Sequence, residues 1–106
     1  MIRILEYLDR RGRSLYAEWL DSLHHEAAAK VVEAVFRMSQ GNHSNIKAVG
    51  AGVLERKVNF GPGYRIYFGR DGDRLVVLLG GSSKPDQKKA IETARVCWQD
   101  YRARRR

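Results

Sequence analysis

Residues 53–69 read VLERKVNFGPGYRIYFG. Two runs rich in β-branched and aromatic residues flank Gly61-Pro62-Gly63, and a proline between two glycines reverses the chain instead of extending a strand. The stretch therefore predicts a β-hairpin with strands over Val53–Phe60 and Tyr64–Arg70. Alternation assigns the faces. Leu54, Arg56, Val58 and Phe60 share one parity, while Glu55, Lys57 and Asn59 share the other. Beyond the turn, Tyr64, Ile66 and Phe68 point one way and Arg65 and Tyr67 the opposite way. The apolar parity is the core side, so Lys57, Asn59, Arg65 and Tyr67 are expected together on one outward surface. Arg56 falls on the apolar parity, where it snorkels at the sheet margin or marks a bulge.

Downstream, Asp71-Gly72 is a tight-turn signal leading into a third strand over Arg74–Gly80. Its segment Leu75–Leu79 is apolar throughout, which places it centrally with both faces covered. Pro85 and Asp86 open a last helix whose Ile91, Ala94, Trp98 and Tyr101 form one stripe. Upstream, Gln40–Gly52 holds Gly, Asn and Ser without periodicity and reads as a loop. Before it, Ala28, Val31, Val32, Val35 and Met38 mark a helix over about 24–39. Ser14 caps a shorter helix with Leu15, Trp19, Leu20 and Leu23 on one face, and residues 2–8 read as a first strand. The order is β-α-α-β-β-β-α, an α+β arrangement. A mainly antiparallel sheet carries the helical hairpin on one face, and its other face is expected to be partly open.

The chain has 106 residues, enough for one core. The expected domain covers residues 1–101, followed by a basic tail over 102–106. Twenty Lys and Arg against twelve Asp and Glu give +8, but Arg102, Arg104, Arg105 and Arg106 supply half of that excess. The tail is expected to be solvated and frayed. The basic balance favours an anionic partner. No apolar run approaches the roughly 20 residues of a membrane span, and the start MIRILEYLDRR lacks a signal-peptide pattern. The single Cys97 excludes an internal disulfide and fits a cytoplasmic location. Three histidines and one cysteine show no metal-ligand spacing, so neither metal nor cofactor is expected. His24, His25 and His43 carry no assignment, and Trp19 and Trp98 read as core.

Arg56, Lys57, Asn59, Arg65, Tyr64 and Tyr67 gather cations and aromatic rings on one hairpin. Such a set suits an RNA backbone and its bases better than a metabolite. The competing reading is a solvated sheet face whose charges maintain solubility. Glu55 then simply pairs with Lys57 or Arg65.

The run FGPGYRIYFGRDGDRLVVLLGG, with Trp19-Leu20-Asp21-Ser22-Leu23 upstream and Trp98 and Tyr101 downstream, resembles the RelE/ParE toxin superfamily of bacterial type II toxin–antitoxin systems. It is most similar to the HigB-like branch, often labelled "putative addiction module killer protein". The resemblance implies a compact RelE-like β-α-α-β-β-β-α fold and a ribosome-dependent mRNA endoribonuclease, an mRNA interferase that stops translation. It also implies a cognate helix-turn-helix antitoxin, HigA-like, and the ribosome and mRNA as partners. Arg65 matches the family arginine of the Gly-Tyr-Arg motif. Lys57 stands where the branch usually has arginine, Glu55 keeps the glutamate of that strand, and Arg56 replaces its leucine. Lys84 and Gln87 resemble the basic residue and glutamine after the last strand, at a spacing one residue longer. The acidic residue usual before the helix isoleucine is absent, Ala90 preceding Ile91.

Under that resemblance a ribose 2′-hydroxyl attacks the adjacent phosphate, which calls for a base, an acid and cations. A lysine among other cations gives up its proton more readily, so Lys57 is the candidate base and Glu55 its rival. Arg65 can grip two phosphate oxygens, Lys84 adds a second cation, and Tyr67 can stack on a base or donate a proton. Arg56, Asn59 and Gln87 are candidate RNA contacts. Two alternatives stay open: a ParE-like inhibitor of DNA gyrase, and a non-catalytic RNA- or protein-binding relic.

Overall fold

A computed structural model describes residues 1–105; Arg106 lies outside the described residues. The chain runs β1 (Arg3–Glu6), α1 (Leu15–Asp21), α2 (His25–Ser39), β2 (Ile46–Gly50), β3 (Val53–Val58), β4 (Tyr64–Arg70), β5 (Leu75–Ser83) and α3 (Gln87–Arg104), with a 3-10 turn at Lys84–Asp86 before α3. The expected hairpin is β3–β4, in register from Leu54 opposite Phe68 to Val58 opposite Tyr64. Gly61 and Gly63 have φ of 54° and 90°, a left-handed backbone that glycine alone adopts without a steric penalty.

The fold is α+β, with a five-stranded mixed sheet in the order β1-β5-β4-β3-β2. β1 runs parallel to β5 and the other pairings are antiparallel. Two expectations about where strands lie need correction. β2 lies inside the segment read as a loop, and pairs Ile46 with Arg56 and Lys47 with Glu55. β5 also continues past Gly80 to Ser83.

Neither face of the sheet is open at its centre. On the first, Tyr16 of α1 and Val31, Ala34 and Met38 of α2 pack against Val58, Ile66, Phe68, Val76 and Leu78. On the second, Ala94, Cys97 and Trp98 of α3 close over Val53, Tyr67, Val77 and Leu79. The expected parities hold, but the outward face lies under α3. The apolar stripe of α3 needed a surface to bury against, and the second face of the sheet provides it.

A shift between Tyr67 and Phe68 in the β4–β5 register leaves Leu79 as the extra residue. This bulge reverses the parity of the end of β5, so Ser82 rather than Gly81 falls opposite Arg65. Ser14 caps α1 as expected, its Oγ accepting from the Ala17 N–H at 3.0 Å. α3 extends through Arg104. Arg104 donates to the Leu8 carbonyl at 2.6 Å, and Arg105 pairs with Asp71 at 3.2 Å. The described part of the basic tail is therefore docked, not frayed. No helix among the described residues is long and apolar enough to cross a membrane.

Candidate functional site

At the hairpin tip, beyond the cover of α3, lies an open cleft of about 400 Å³. Lys57, Asn59 and Arg65 line it from the hairpin and Lys84 from the turn before α3. The β3–β4 register sets Lys57 directly opposite Arg65. Four of the expected residues thus meet on one wall system, with Lys57, Asn59 and Lys84 exposed.

Arg65 differs from the other cations in being 7% exposed. Its Nε donates to Glu55 Oε1 at 3.0 Å, which fixes the plane of the guanidinium. Its Nη1 is buried and has no hydrogen-bond partner among the described residues. A Cβ on Gly63 would lie 3.5 Å from that nitrogen, which places it against the turn bordering the cleft. A buried donor without a partner is costly, and an anion in the cleft would remove that cost.

Glu55 lies beneath the cleft instead of on its wall. It is 2% exposed, and its Oε1 also accepts from Gln87 Nε2 at 3.0 Å. Lys47 Nζ stands 3.7 Å from Oε2, an ion pair too long for a hydrogen bond. One carboxylate thus ties β3 to β4, to the start of α3 and to β2. It orients Arg65, and this geometry leaves it poorly placed to take a proton from a ligand. Gln87 belongs to the same support and is absent from the cleft lining.

Tyr67 is fully buried, so it offers a ligand no ring face. Its hydroxyl hydrogen-bonds Ser82 Oγ at 3.0 Å. Burial raises its pKa, and the Ser82 hydrogen bond opposes that rise. Its place in the geometry is to hold β5 against β4 below Arg65. Arg56 lies on the opposite face of the sheet, 4% exposed, with Nη1 donating to the Asn42 carbonyl at 2.9 Å. Burial and the charge of Arg37 lower its pKa, and it does not reach the cleft.

Sequence reasoning missed Lys47 and Ser82. The alternation of Ile46 and Ala48 against Lys47 and Val49 was the available signal for the first. The second depends on a bulge that no local pattern announces. Elsewhere, His24, His25 and Glu26 bring ligand-type atoms within 4.8 Å of one another, all exposed. His24 already serves as the N-cap of α2, accepting from the Glu26 N–H at 3.4 Å.

Over 86 residues, 80% of this chain and 87% of the relative, the sequence is 35% identical to an uncharacterized protein of Haemophilus influenzae. The chain belongs to the family of that protein. No family model matches it. The fold and the cleft therefore carry the functional argument.

Proposed function

We propose that this chain is a HigB-like toxin of the RelE/ParE superfamily and cleaves mRNA on the ribosome. The observation that carries the reading is Arg65: buried, fixed through Nε by Glu55, with an unpartnered Nη1 beside a cleft that also holds Lys57 and Lys84. A guanidinium held in this way suits a phosphate, whose oxygens accept two parallel N–H bonds. The register that puts Lys57 opposite Arg65 sets an amine next to the phosphate site.

In the proposed reaction the Lys57 amine takes the proton of a ribose 2′-hydroxyl. The oxygen attacks the adjacent phosphorus while Arg65 and Lys84 hold the developing charge. The 5′-oxygen leaves with a proton from water in the open cleft, giving a 2′,3′-cyclic phosphate and a 5′-hydroxyl. Glu55, Gln87, Tyr67 and Ser82 hold Arg65 in place and touch no substrate. The cleft is shallow, so orientation must come from the ribosome. A HigA-like antitoxin is the proposed silencing partner.

The test is primer extension on a reporter mRNA in a translating extract, comparing the protein with Lys57→Ala, Lys84→Ala and Arg65→Ala. Lys57 and Lys84 are exposed, so loss of activity in their variants cannot be blamed on misfolding. Codon-registered cuts that need ribosomes and disappear in the variants are expected. Intact mRNA from a protein that arrests growth would overturn the reading in favour of gyrase. Intact mRNA without arrest would favour a binding module.

A further inference from the structure

A second concave surface lies toward the other end of α3, where the helix faces the β2–β3 turn. The groove measures about 860 Å³ and is lined by Arg95, Arg102 and Arg105, with Gln99 between them and no carboxylate among the described residues of its lining. Two of the arginines are held in place. Arg95 gives both Nε, at 3.1 Å, and Nη2 to the Val49 carbonyl. That bond orients the side chain without neutralising it. Arg105 is anchored through Nε on Asp71 at 3.2 Å. Arg102 is exposed and has no ion pair among the described residues.

The β2–β3 turn contributes Ala51 to the lining. Gly50, Ala51 and Gly52 carry φ of 96°, 56° and 83°, three successive left-handed residues. A Cβ on Gly50 would come within 2.7 Å of Arg95 Nη2, and one on Gly52 within 2.7 Å of Trp98 Nε1. The turn is thus moulded onto α3 and keeps a strained alanine to do so. Arg95 and Arg102 lie two helical turns apart, about 10 Å along the axis, and Arg102 and Arg105 are neighbours on one face.

We infer that this groove binds an RNA phosphodiester backbone and is a contact separate from the hairpin cleft. The guanidinium forks of Arg95 and Arg102, which pair with no carboxylate among the described residues, match phosphate oxygens, and such contacts position a nucleic acid without reading its sequence. Gln87 at the cleft end and Arg102 in the groove stand about 22 Å apart along α3. An RNA held at both places would be oriented, which the shallow cleft alone does not achieve. The choice of RNA over other polyanions rests on the proposed function; the groove itself does not.

The experiment measures binding of the full chain to a fluorescent RNA hairpin of arbitrary sequence by anisotropy, across a series of salt concentrations. Variants are Arg95→Ala with Arg102→Ala, Arg102→Glu alone, Arg65→Ala, and a control removing Arg3 and Arg11, exposed cations outside the groove. The groove double variant is expected to bind about tenfold or more weakly at low salt, with a log–log salt slope shallower by roughly 1.5–2. The control should move far less. Arg102→Glu guards against misfolding, because Arg102 is exposed and makes no ion pair among the described residues. Equal losses in groove and control variants would overturn the site as mere net charge. Competition by polyglutamate as strong as by unlabelled RNA would overturn RNA in favour of an acidic protein. The two proposals fail separately. mRNA left intact by the wild-type protein overturns the function and leaves the groove, while groove variants that bind like wild type overturn only the groove.

Discussion

Arg56 and Arg65 are the two arginines of the hairpin's buried layers, and their surroundings separate them. Arg65 has a carboxylate at 3.0 Å. Arg56, 4% exposed, has one carbonyl and a buried Nε without a partner among the described residues. A buried charge lacking a counter-ion is costly, and an apolar side chain of similar reach removes that cost. Arg56→Met is therefore expected to stabilise the protein by about 1 kcal/mol, read as a higher urea midpoint; a lower midpoint would sink this account. Glu55→Ala is expected to do the reverse and cost about 3–5 kcal/mol, because it leaves Arg65 buried and unpaired. Denaturant titration would check it, and a loss under 1 kcal/mol would show that the pair is not structural. Ala51, at a φ of 56°, is a third case: Ala51→Gly relieves a left-handed alanine and should gain roughly 1 kcal/mol. A thermal melt no higher than wild type would contradict it. At this scale the sequence was partly legible. Alternation found the correct parities for Lys57, Asn59, Arg65 and Tyr67, but parity alone does not tell a covered face from an open one.

Two tryptophans decide how closely the helices approach the sheet. A Cβ on Gly81 would fall inside the Trp19 ring, and one on Gly69 inside the Trp98 ring. Both glycines sit in strands where the ring lies flat on the backbone, so the space belongs to the tryptophan and cannot be shared. Gly69→Ala and Gly81→Ala are each expected to destabilise by roughly 1–3 kcal/mol. Near-wild-type melting of either would mean that its helix can back away. These glycines also explain what the sequence reading could and could not reach. Gly81 falls just past the expected strand end at Gly80, although β5 continues through it and needs a residue without a side chain beneath Trp19. β2 reads as loop in sequence because Gln40–Gly52 holds Gly, Asn and Ser without periodicity, and the strand itself has only five residues, flanked by left-handed positions at Asn45 and Gly50. The second face, expected to be partly open, is instead covered by α3, and the signal for that cover was in the sequence. An apolar run at Leu75–Leu79 needs both faces buried, and the stripe of Ile91, Ala94, Trp98 and Tyr101 needs a sheet to lie on. Each observation implies the other, and together they exclude an open face.

Across the whole molecule, tyrosine hydroxyls pin α3 to the rest of the fold. Tyr7 donates to Asp100 at 2.7 Å, and Tyr101 donates to Asp71 at 2.8 Å. Burial, reinforced by the Asp100 hydrogen bond, raises the Tyr7 pKa to about 12. Burial also raises Tyr16 to about 12 and raises Tyr101, with Asp71 adding to the effect. In the unfolded chain these phenols lose their protons near pH 10, at a pKa of about 10. The folded state then holds more protons than the unfolded one. Stability is complete below pH 10 and falls as pH rises through about 12. Net charge acts in the opposite direction. The isoelectric point is about 10.1, so raising the pH toward it relieves self-repulsion among the many arginines. That effect is spread over exposed, screened groups and is small, whereas Tyr7 and Tyr16 each carry a pKa raised to about 12. The expected profile is a plateau that gives way above about pH 10, measured as urea stability from about pH 8 to about pH 12. Tyr7→Phe should cost about 1 kcal/mol on the plateau, through the lost hydrogen bond. The variant should then converge on wild type as the pH climbs, because the phenylalanine has no proton to lose. Curves that stay parallel to the alkaline limit would mean that the Tyr7–Asp100 bond does not govern the docking of α3.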